Sequence, residues 1–228
     1  MTTLFLVLKI IFVLFYLGIL SYMANYFFRK SGWSRFYYLL GVLSVIGIII
    51  TGQAFIVRAY NYFSPNEALP LILGISRFLV ALFFVIVNIL SYYMYIAYFN
   101  KKRYQNQQNV VWILSVLSII LVALPQNDYA KDVPGLLLPR LRVIPSVIAG
   151  LYVSLVLMID SYYKTNAHFQ HYALCLFLLQ LVQIVNSYFL KAKAKTEFIY
   201  YALICIIFIA MLTIFYRELY KKNELERF

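Results

Sequence analysis

Apolar residues along this chain do not alternate with polar ones. They gather in seven long runs, at 4–28, 37–60, 71–99, 110–124, 143–162, 169–190 and 198–216, separated by short polar connections. A hydrocarbon core of ~30 Å is crossed by about 20 apolar residues in a helix. A helix also satisfies every backbone N–H and C=O within its own segment, as lipid requires. The pattern therefore predicts an all-α polytopic membrane protein, one domain over 1–228 built as a bundle of seven transmembrane helices. Two runs depart from the ideal length. The fourth has 15 residues, and ~22 Å of helix falls short of the core unless flanking residues join it or the bilayer thins. The third has 29 residues, roughly 44 Å, so it is expected to tilt or to push its Tyr92-Tyr93-Met94-Tyr95 end into the interface, the usual depth of an aromatic belt.

Composition agrees with the pattern. Of 228 residues, 64% are apolar and 12% charged, with 22 Tyr and 19 Phe, whereas soluble domains are about half apolar and a quarter charged. A net charge of +12 would point to nucleic acid in a soluble protein, but here the cations sit between apolar runs, where membrane topology accounts for them and nucleic acid is not expected as a partner. With the N-terminus outside, the inner connections hold Arg29, Lys30, Arg35, Lys101, Lys102, Arg103, Lys164, Arg217, Lys221, Lys222 and Arg227. The outer ones hold Arg58, Lys131, Arg140, Arg142, Lys191, Lys193 and Lys195. Eleven against seven favours N-outside and C-inside, although the Lys191–Lys195 cluster argues locally for the reverse. The first run lacks a cationic leader and a cleavage site and is expected to stay as the first span. The longest connection, 125–142, gathers Asp128, Lys131, Asp132, Pro134, Gly135 and Pro139 and reads as a surface hairpin or a short interfacial helix. Cys175 and Cys205 both fall inside apolar runs, where a thiol behaves as a small hydrophobe.

Enzymatic constellations are lacking in the sequence. His168 and His171 stand i,i+3 in a polar connection, with no Asp, Glu or Cys nearby in sequence to complete a metal site. There is no paired carboxylate at membrane depth, no nucleophile elbow, no zinc-protease helix and no phosphate-cradling loop. The last run, 198–216, contains no lysine, which excludes a retinal Schiff base there. No cofactor is expected.

Polar residues at membrane depth carry the functional signal, because an ionisable group there costs at least ~2.5–3.5 kcal/mol unless it snorkels or finds a partner. Lys9 lies in the first run, Arg58 at the end of the second and Arg77 two turns into the third. In the expected topology all three reach the outer third of the bilayer. The sixth run adds Gln180, Gln183, Asn186 and Ser187 along one helical face. Thr51, Gln53, Asn88, Ser91 and Thr213 are further polar positions. One reading joins Lys9, Arg58, Arg77, Gln53, Gln183 and Asn186 into an outward-facing pocket for a small anionic ligand. The alternative is that Lys9 and Arg58 reach headgroups while the amides join helices. Asp160 is expected to pair with Lys164 at i,i+4, and the charged segment after Tyr216 to prolong the last helix.

The Arg77-containing start of the third run, its Tyr-rich end followed by Lys101-Lys102-Arg103, and the Ile214-Phe-Tyr-Arg-Glu-Leu219 exit from the last run resemble the seven-helix membrane sensor regions of bacterial histidine kinases and related signalling proteins. The resemblance implies a sensor in a bacterial cytoplasmic membrane that acts through a signalling partner. A second reading is a small transporter or channel, as a homo-oligomer, with Asn88, Gln180 and Thr213 lining its path. A path needs polar groups at successive depths. The inner half of the sixth run, His171 excepted, is the apolar stretch Tyr-Ala-Leu-Cys-Leu-Phe-Leu-Leu at 172–179, which favours a pocket.

Overall fold

The structure is a computed structural model that describes residues 3–32, 34–63, 69–99, 105–123, 144–164, 166–188 and 194–225. Seven helices account for nearly all of them: α1 (Thr3–Arg29), α2 (Arg35–Phe63), α3 (Leu69–Phe99), α4 (Gln105–Ala123), α5 (Ile144–Tyr163), α6 (Ala167–Tyr188) and α7 (Ala194–Leu225). There is no strand among the described residues. Six helices are long and apolar enough to cross a membrane, over Val7–Arg29, Arg35–Gln53, Phe78–Ile96, Ile144–Tyr163, Ala167–Val185 and Ile199–Lys221. The chain is thus a helical integral membrane protein. The fourth run is again the exception, since its apolar stretch, Gln108–Leu121, is shorter than a span. The connection 125–142 and the lysines 191 and 193 lie outside the described residues.

The helices group into two compact units, Met1–Phe83 and Phe84–Phe228. In the first, α1 and α2 form an antiparallel hairpin. Its turn is closed locally: the Lys30 N–H donates to the Phe27 carbonyl (3.1 Å), the Ser31 N–H and hydroxyl both donate to the Phe28 carbonyl, and the Ser34 hydroxyl accepts the Phe36 N–H at the start of α2. Gly41 admits the Phe28 ring, whose atoms come within 2.9–3.0 Å of where a Cβ would stand. Val7, Ile11, Leu14 and Phe15 of α1 are exposed, as a face turned to acyl chains would be.

The second unit holds the C-terminal part of α3 with α4, α5, α6 and α7. Helices α5 and α6 are antiparallel neighbours joined at Lys164–Asn166, and α7 packs against α6. Asn166 caps α6 by accepting the Phe169 N–H on its side-chain oxygen (3.1 Å), satisfying one of the orphan donors of the first turn. Phe169, Tyr172 and Phe215 form an edge-on trio with centroids 5.4–6.4 Å apart. On α5 the buried face carries Ser146, Gly150 and Ser154 at four-residue spacing, with Ser161 two turns on. Small residues in that pattern let another helix approach closely where lipid offers no hydrophobic drive to association.

Candidate functional site

The stripe of small residues on α5 is met by polar side chains from α3 and α6. Asn88, fully buried on α3, donates its side-chain N–H to the Ser146 carbonyl (2.9 Å). Its oxygen accepts from the Gln180 amide nitrogen (3.0 Å). Gln180 lies flat over Gly150, with its amide carbon 2.2 Å from where a Cβ would be. Only a glycine leaves that space.

The direction of these bonds is forced. A backbone carbonyl can only accept, so Asn88 must turn its NH2 to Ser146 and its oxygen to Gln180. Gln180 must then present its own NH2 to Asn88. Its oxygen is left facing away, and it has no partner; the Gln183 side-chain oxygen and the Ser146 hydroxyl are likewise buried without one. A buried unsatisfied polar atom costs about 1–3 kcal/mol, which water or a ligand group recovers. Gln180, Gln183 and Ser146 are each at most 4% exposed.

Below this cluster the same face of α3 continues through Ser91 and Tyr95, three and seven residues beyond Asn88. The Ser91 and Tyr172 hydroxyls are bonded at 2.7 Å. Tyr95 donates its hydroxyl to the Asp160 carboxylate, and the expected Lys164 partner of Asp160 is present at a long 3.9 Å. The pairings keep one order: from Asn88 to Tyr95 their partners advance along α5 from Ser146 to Asp160, and from Asn88 to Ser91 they retreat along α6 from Gln180 to Tyr172. So α3 and α5 run parallel, α6 antiparallel, and polar groups stand at three successive levels. At the far end the buried Glu218 carboxylate of α7 accepts from the Asn166 side-chain N–H (2.8 Å), tying α7 to the cap of α6.

The residues singled out in the sequence are distributed between the units. Asn88 and Gln180 meet in the second unit, where Gln183 is buried three residues further along α6. Thr213 instead donates to the Ile209 carbonyl of its own helix (2.8 Å). Lys9 and Gln53 are half-buried in the first unit, where the Gln53 side-chain nitrogen is buried without a partner. Arg58, Arg77 and Asn186 stand on α2, α3 and α6, and their side chains lie outside the described residues. His168 is half-buried and His171 exposed, and no group of His, Cys, Asp or Glu able to hold a metal occurs among the described residues. Sequence reasoning passed over Ser146, Gly150, Tyr172 and the Tyr95–Asp160 and Asn166–Glu218 pairs. Only the i, i+3, i+7 spacing of Asn88, Ser91 and Tyr95 offered a signal for the ladder. Compared with known proteins, the chain matches no family model, no curated protein and no solved structure.

Proposed function

We propose that the chain is a non-enzymatic membrane protein of seven spans, N-terminus outside and C-terminus cytoplasmic, that binds a small polar ligand between its helices and acts through a cytoplasmic or membrane partner, as a sensor or accessory protein in a bacterial cytoplasmic membrane. The observation that carries the reading is the set of buried, unpartnered oxygens on Gln180, Gln183 and Ser146. A cluster serving only to join helices gains most when every member is satisfied, and acceptors left open on a buried face are available to a ligand group. The cationic pocket expected around Arg77, Lys9 and Arg58 is a second candidate that shares Gln183, and the amide set is the one the described geometry supports better. Glu218 supports the output half of the proposal: it couples the end of α7 to the first turn of α6, the helix that carries both glutamines.

Transport is the second reading, and one observation favours it. The Ser91–Tyr172 and Tyr95–Asp160 pairs put polar groups at the levels where the sequence of α6 read as apolar. Flux of ions and small solutes through the purified protein in liposomes separates the two. Tight liposomes, together with ligand-dependent thermal stabilisation lost in Gln180→Leu, support the binding reading. Selective flux that Tyr172→Phe alters moves the assignment to a transporter or channel. Loss of stabilisation in Arg77→Leu alone returns the ligand to the cationic pocket.

A further inference from the structure

We infer that the ligand of the amide cluster is a small uncharged solute carrying an NH2 group, of the carboxamide or urea class. The inference rests on the ligand-binding reading above and supplies its chemistry. The Ser146 carbonyl sets the direction of the whole relay, Asn88 donating to it and Gln180 donating to Asn88. What remains open at the end of the relay is an acceptor, the Gln180 oxygen, accompanied by the Gln183 oxygen and the Ser146 hydroxyl.

Ser146 and Gln183 belong to one level, and Gln180 stands one turn from it on the same face of α6. Gly150 opposes Gln180 across the α5–α6 contact. Because the two helices are antiparallel, four residues back along α5 leads to Ser146 while three residues on along α6 leads to Gln183. Side chains three apart on a helix are neighbours, with Cβ atoms ~5–6 Å apart. An NH2 group donating two N–H···O bonds of ~2.9 Å at ~120° to one another bridges oxygens ~5 Å apart. A hydroxyl has a single hydrogen to give.

Charge narrows the class. The two unpartnered amide oxygens repel an anion, to which only the Ser146 hydroxyl could donate. Among the described residues a full cation finds no carboxylate at this level, since Asp160 lies ten residues, or ~15 Å, beyond Gly150 along α5. The N-terminal end of α5, where Ser146 stands, carries the positive pole of the helix dipole, and a buried uncompensated charge is costly. A neutral carboxamide meets none of these objections. It simply adds the next link, giving its NH2 to Gln180 as Gln180 gives its own to Asn88.

The test uses the full chain in phosphatidylcholine nanodiscs, with acetamide, urea, N,N-dimethylacetamide, sodium acetate and methylammonium chloride each titrated through the millimolar range. Acetamide and urea should raise Tm saturably by roughly 2–4 °C. Dimethylacetamide, which keeps the carbonyl and lacks the N–H, should not. The shift should vanish in Gln183→Leu and persist in Arg77→Leu. Because the solute comparison is made on the unsubstituted protein, it stands whether or not a variant folds. Equal shifts from acetamide and dimethylacetamide overturn the donor inference, as do shifts confined to sodium acetate or to methylammonium chloride; in those cases the ligand-binding reading survives. No shift with any solute, leaving water as the occupant, overturns both.

Discussion

Gln180 and Gly150 are fitted so closely that a Cβ at position 150 would lie 2.2 Å from the Gln180 amide carbon. The glutamine cannot retreat without leaving Asn88, because the same amide donates to the Asn88 oxygen at 3.0 Å. The absence of one methyl group on α5 is therefore what allows a polar side chain of α6 to reach α3.

Gly150→Ala should break this arrangement. In an exposed helix the change stabilises by up to ~1 kcal/mol, but here overpacking should reverse the sign and cost about 1–3 kcal/mol. Gly18 and Gly52, where a Cβ would meet nothing within 4 Å, serve as controls and should be neutral or slightly stabilised on the same change. Thermal or denaturant unfolding in a fixed detergent compares them. If Gly150→Ala behaves like the other two, the close approach is not what the glycine serves.

Asn88 and Gln180 should prove strongly coupled. Asn88→Leu leaves the Gln180 NH2 and the added lone pair of the Ser146 carbonyl without a partner, at about 1–3 kcal/mol. Gln180→Leu leaves only the Asn88 oxygen open. The double variant removes the relay together, so its loss should be smaller than the sum of the two single losses. Interhelical bonds in membranes couple by about 0.6 kcal/mol on average, and up to ~1.7; a double-mutant cycle returning nothing would mean the bond contributes no net stability.

Much of the fold could be read before the structure, because lipid admits few solutions. Runs of apolar residues longer than a span leave the backbone no alternative to helix, and the shortness of the fourth run was visible from its residue count. The site was legible in part. Asn88, Gln180 and Gln183 stand out as amides in apolar surroundings, whereas Gly150 and Ser146 look like ordinary members of a span until the opposing helix shows what their small size admits. Tyr172 was hidden for a different reason: its ring belongs to the aromatic packing with Phe169 and Phe215, and only the hydroxyl, bonded to Ser91, belongs to the ladder. Thr213 illustrates the converse case. A hydroxyl on a helix can satisfy itself on the carbonyl four residues back, and this one does.

Tyr172→Phe separates the two roles of that side chain. The ring contacts should survive, so stability should fall only by about 1 kcal/mol, the net worth of one hydrogen bond. If polar groups at this level line a path, flux in liposomes should fall several-fold in Tyr172→Phe and in Ser91→Ala alike. Unchanged flux in both variants would confine the ladder to a structural role.

The link between Asn166 and Glu218 gives the sharpest test of output through α7. Asn166→Ala removes a helix cap as well as the contact, and should cost about 1 kcal/mol as other N-caps do. Glu218→Gln keeps a side-chain oxygen able to accept from Asn166 while removing the charge, and with it the attraction of a carboxylate for the positive end of α6. Glu218→Ala removes both. A graded response, with Gln intermediate and Ala lowest in thermal stability, would show charge and hydrogen bond acting together. The functional consequence is read separately, as hydrogen exchange at the C-terminal end of α7 with and without ligand at the glutamine cluster. In the unsubstituted chain ligand binding should slow that exchange, because the Asn166–Glu218 bond ties the cap of α6 to the end of α7. In Glu218→Ala the ligand should still bind with unchanged affinity while the change at α7 is lost. Retention of the α7 response in that variant would place the output of the protein elsewhere.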